Sequence, residues 1–182
     1  MTSTPVKFGA CYVAIAYAIV LLATDAVLSM AMSTVHPLHR APAFTLKDQH
    51  QTAHHYQFPR PKISVLIFAD YAGSGQLESW IRPLYDRYQD AIAIDGVAEL
   101  SSVPKLIRGM VRSAFRDRLT RPVMLDWSGE VSSDYNYQKG QANLFVIDPN
   151  GRILLKVAGA ISDAKQQRVQ DTIDRYLNVN QP

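Results

Sequence analysis

Apolar and polar positions change period several times along the chain. Ile63–Phe68 (ISVLIF) is an unbroken run of apolar and β-forming residues, the pattern of a strand buried on both faces. From Gln76 to Tyr88 the apolar positions Leu77, Trp80, Ile81, Leu84, Tyr85 and Tyr88 recur at helical spacing with charges opposite, which predicts an amphipathic helix that Pro83 kinks or opens. AIAI (91–94) predicts a short strand. A second helix opens at Pro104, with Ile107, Met110, Val111, Ala114 and Phe115 facing inward. PVMLD (122–126), LFVID (144–148) and ILLKVAG (153–159) read as strands, and DPNG between the last two predicts a tight antiparallel hairpin. Ser162 to Leu177 closes the chain as a helix capped by Ser162 or Asp163, with Val169, Ile173 and Leu177 inward. Upstream, residues 41–58 alternate loosely around a polar centre and predict a short hairpin or extended arm.

The order is arm, β, α, β, α, β, ββ hairpin, α. A βαβ unit followed by an antiparallel hairpin and a last helix implies an α/β fold with a mixed central sheet and helices on both faces.

The N-terminus departs from this pattern. Phe8 to Ala23 is uncharged and almost wholly apolar, about the length of a secretory h-region and short of the ~20 residues that span a bilayer. SMA (29–31) and TDA (24–26) offer small residues for cleavage, while residues 8–32 left intact would form an anchor. The expected organisation is a signal peptide or membrane anchor over 1–31, a linker over 32–40 and one domain over 41–178, placed outside the cytoplasm. FGAC resembles a lipoprotein box only faintly, because the apolar stretch follows Cys11 instead of preceding it.

Composition narrows the chemistry further. The chain has 182 residues, a formal net charge of +3 and one cysteine. Such a small positive charge gives no ground for expecting nucleic acid. The single cysteine, Cys11, lies in the apolar segment, so the domain has no thiol to act as nucleophile, disulfide partner or metal ligand.

Four stretches, taken in order, resemble the redoxin branch of the thioredoxin fold, which includes TlpA-type thiol–disulfide proteins and the alkyl hydroperoxide reductase/thiol-specific antioxidant family. They are APAFTLKD, SVLIFADYAGSG, PVMLDWSGEVSSDYNY and LFVIDPNGRILLKVAGA, which together span residues 41 to about 177. The resemblance implies a thioredoxin-like domain, and it implies that Ala72 and Gly75 stand where the family has the two cysteines of its C-x-x-C. Ala142 stands where it has the cis-proline that faces them. Losing cysteines and proline together removes the reacting groups and their docking partner at once. A narrower resemblance runs to the cysteine-free YtfJ type of periplasmic protein. Thiol–disulfide oxidoreductase or peroxidase activity is therefore not expected, and neither is a cofactor.

The junction Ala72-Gly73-Ser74-Gly75 could still bind a ligand through free amides, with Asp70, Tyr71 and Ser74 as its polar groups. The plainer expectation is that Ser74 caps the helix, the glycines permit the turn, and Asp70 faces solvent. His36, His39, His50, His54 and His55 cluster early, yet imidazoles on an extended segment sit too far apart for one metal, and no metal site is expected. Lys105, Arg108, Arg112 and Arg116 fall on one helical face opposite the apolar one, a surface suited to an acidic protein or another anionic partner. The favoured function is a binding or accessory role. The alternatives are an enzyme with a remodelled junction (Asp70, Tyr71, Ser74) or a metal-handling protein using the N-terminal histidines.

Overall fold

A computed structural model describes residues 40–179. The signal or anchor reading, Cys11, His36 and His39 lie outside the described residues.

The arm is a hairpin. Strands β1 (Phe44–Lys47) and β2 (Ala53–Tyr56) pair antiparallel, with Phe44 opposite Tyr56 and Lys47 opposite Ala53. Its turn docks on the body through Gln49, which is fully buried: Nε2 donates to the Arg121 carbonyl and Oε1 accepts the Val123 amide, both at 2.9 Å.

The apolar run becomes β3 (Ser64–Ala69), in which every residue is buried. It is the centre of a five-stranded sheet completed by β4 (Ala93–Glu99), β5 (Met124–Asp126), β6 (Asn143–Ile147) and β7 (Ile153–Ala158). The strand order is β5-β4-β3-β6-β7; β3, β4 and β5 run parallel, while β6 and β7 pair antiparallel. Five helices join them: α1 (Tyr71–Ser74), α2 (Leu77–Tyr88), α3 (Arg108–Arg118), α4 (Glu130–Asp134) and α5 (Asp163–Val179).

Successive strand side chains alternate between two cores, as the pleat requires. Val65 and Ile67 pack with Trp80, Leu84, Val169 and Ile173 beneath α2 and α5. Leu66 and Phe68 point the other way, to Phe145, Tyr135 and Tyr56 beneath the arm and α4. Phe68, Tyr135 and Phe145 meet at ring-centroid distances of 4.9–5.6 Å. Trp80 is buried and gives its indole N–H to the Gly159 carbonyl at 3.0 Å, so the core placement leaves no polar atom stranded.

Several sequence expectations need correction. The strand expected over 91–94 runs from Ala93 to Glu99, because Asp95-Gly96 continues the strand where a turn would be read. Asp95 is engaged by Arg60 at 2.8 Å, and Gly96 pairs with Ile67. The second helix starts with a 3-10 turn over Lys105–Ile107. Within the helix proper Val111 and Phe115 pack inward, but Met110 is 75% exposed, and Ile107 in the 3-10 turn is 41% exposed. Tyr85 also leaves the core and carries the Arg121 guanidinium over its ring at 4.5 Å.

Candidate functional site

The junction follows the C-terminal end of β3, where a central strand of a mixed sheet gives way to a helix. Asp70 caps α1, not Ser74. Its backbone is extended and its Oδ1 accepts the Gly73 amide at 2.7 Å, filling the role of an N-cap carboxylate. Ser74 instead turns its hydroxyl back to donate to the Tyr71 carbonyl at 2.7 Å. Nor does Asp70 face solvent: its Oδ2 accepts the Gly140 amide at 2.7 Å, and its own amide donates to the Tyr137 hydroxyl at 2.9 Å. One carboxylate thus ties the strand end to the 137–142 loop across the chain.

These bonds set its charge state. Burial pushes the Asp70 carboxyl up, but the amides of Gly73 and Gly140 and the Tyr137 hydroxyl outweigh it and hold the pKa below the ordinary carboxylate value. Burial also pushes the Tyr137 phenol up, so it stays protonated at neutral pH. An Asp held ionised by amides makes a poor general base, because taking up a proton means giving up its bonds.

The two junction positions that meet Ala142 are Gly73 and Gln76. They lie one residue beyond the expected Ala72 and Gly75 and keep the same spacing. Gly73 is buried, and a Cβ placed on it would lie 2.5 Å from the Gln141 carbonyl carbon and 3.0 Å from the Ala142 nitrogen. Gln76 reaches over, its Oε1 accepting the Ala142 amide at 3.0 Å. Ala142 is itself fully buried. Ala72 is exposed, and a Cβ on Gly75 would meet nothing within 4 Å. Tyr71 extends into solvent at 96% exposure. Of the expected set Asp70, Tyr71 and Ser74, only Asp70 belongs to the contact, and the three do not converge.

His50 and His54 serve the arm. His54 Nε2 lies 2.8 Å from Asp48 Oδ2, and Asp48 Oδ1 accepts the amides of His50 and Thr52. Among the described residues no group of three or more His, Cys, Asp or Glu could hold a metal ion.

The basic face is split. Arg108 donates to the Val103 and Trp127 carbonyls and lies 5.2 Å over the Trp127 ring. Arg112 lines a cleft of about 300 Å3 with Lys47, Gln51, Trp127 and Ser128, where its guanidinium meets the Gln51 carboxamide once that amide is turned oxygen-first. Both lean on the body, whereas Lys105 and Arg116 stay exposed.

No family model and no curated protein matches the chain. Solved structures do. The exposed lipoprotein thioredoxin Etrx1 of Streptococcus pneumoniae matches with a TM-score of 0.57 at 15% identity, over 74% of this chain and 99% of that one. Peroxidoxin BcpB of Mycobacterium tuberculosis matches at 0.55 and 21% identity, over 75% and 94%. The thioredoxin domain of a thiol-disulfide oxidoreductase from Bacteroides vulgatus matches at 0.53 and 19% identity, over 74% and 95%. The fold is the thioredoxin fold, and these relatives in shape are redoxins.

Proposed function

We propose that this chain is an extracytoplasmic thioredoxin-fold protein that binds or assists a partner and performs no thiol chemistry. The observation that carries the reading is the contact of Gly73 and Gln76 with Ala142. No sulfur is present there, and the volume a side chain at 73 would need is taken by the backbone of Gln141. A surface that has lost its reacting atoms and also filled their space is a scaffold, not a resting enzyme. The cysteine-free YtfJ resemblance supports the same reading. The apolar segment 8–32 supports export with or without anchoring, as does the likeness to a lipoprotein described as exposed.

The test is insulin-disulfide reduction with dithiothreitol and, separately, peroxide consumption by the purified full chain. The expected rates equal those of buffer. A rate above buffer that disappears in Cys11→Ser would overturn the reading.

A further inference from the structure

We infer that the 3-10 turn over Lys105–Ile107 and the first turn of α3 form a peripheral docking surface for an anionic phospholipid membrane. Leu106 in the 3-10 turn is 95% exposed and Met110 in α3 75% exposed, with Ile107 between them in sequence at 41%. Large apolar side chains left this open on a helix call for an occupant.

Charge selects the occupant. Lys105 adjoins Leu106, and Arg116 and Arg118 follow about two turns beyond Met110; all three are exposed. Arg116 donates only to the neutral Ser113 hydroxyl. Against these stands one acid, Asp117, about two turns beyond Met110 on the same side of the helix. Apolar tips on a segment with a surplus of exposed cations match an anionic headgroup layer, in which cations meet phosphates while the tips enter the acyl boundary. Neither the cleft at the Arg112 wall nor the one beside Tyr85 is lined by this pair. Failure of this surface would leave the non-redox reading untouched.

Amide hydrogen exchange of the full chain tests it. With phosphatidylglycerol vesicles, exchange across 103–114 should slow by about tenfold, and with phosphatidylcholine vesicles it should not. In Leu106→Ser/Met110→Ser, whose altered side chains lie in solvent, the slowing should vanish while near-ultraviolet circular dichroism stays that of the parent. Equal slowing with both lipids, or slowing kept in the double variant, overturns the proposal. So does equal slowing by soluble polyglutamate, which would assign the surface to an acidic macromolecule. No slowing with phosphatidylglycerol also overturns it.

Discussion

Gln76 and Ala142, 66 residues apart, are joined by one hydrogen bond: the side-chain carbonyl accepts the backbone amide at 3.0 Å. The bond fastens the start of α2 to the loop that enters β6. Replacing Gln76 with Ala leaves a donor on a fully buried residue without its partner. The expected cost is about 1–3 kcal/mol, read as a lower urea midpoint with an unchanged slope. Gln76→Glu should retain more of the stability, because a carboxylate oxygen can still accept.

The space beside this bond is already full. Gly73→Ala should destabilise by about 1–3 kcal/mol, since the added methyl meets backbone and not a side chain that could swing away. Gly75→Ala is the matched control. Its φ of −63° suits any residue and its surroundings are open, so the change should stay within about 0.5 kcal/mol of neutral. Similar losses at both positions would mean the 73–142 contact is looser than described.

Asp70 gives a pH signature. Its folded pKa lies below the unfolded value, so its stabilising contribution is present above the ordinary carboxylate range and is lost as acid protonates it. Asp70→Asn keeps an acceptor for Gly73 but does not titrate. Parent and variant should differ in urea midpoint at pH 7, and the difference should shrink below about pH 4. A constant difference down to pH 2.5 would place the stabilisation in shape and not in charge.

The arm should be detachable by one change. Gln49 makes two hydrogen bonds to the segment before β5 from a fully buried position. Gln49→Ala should cost about 2 kcal/mol or more. Amides of β1 and β2 should exchange faster than those of β3 in the variant, since the hairpin would open before the sheet does.

Much of this architecture was legible in the residues, and the failures share a cause. Continuous burial of β3 and helical spacing in α2 are local patterns that tertiary packing merely confirmed. The strand expected over 91–94 is longer because Asp95-Gly96, a turn-forming pair, stays in it: Arg60 pairs with the acid and the neighbouring strand supplies the hydrogen bonding. Met110 misled because the inner face of α3 is narrow: Val111 and Phe115, four apart, fill it, and Met110 stands about 100° round the helix from Val111. α4 has the short sequence EVSSD with Val131 as its one apolar residue, and it stands because Asp126, fully buried, accepts from Ser128, Gly129 and Ser132. At the junction the glycines were visible, but the partners of Asp70 were not. Tyr137 and Gly140 reach it only through the fold, and no spacing within one segment points to them.

The close approach of Gly73 to Gln141 also limits what residue 73 can become. Any side chain placed there meets backbone 2.5 Å away, so a larger residue could enter only if the 139–142 loop moved with it. Installing a reactive group at 73 therefore takes at least two coordinated changes, the first of them harmful by itself. Packing closes this position to one-step innovation and leaves the outer surfaces as the places where single substitutions are tolerated.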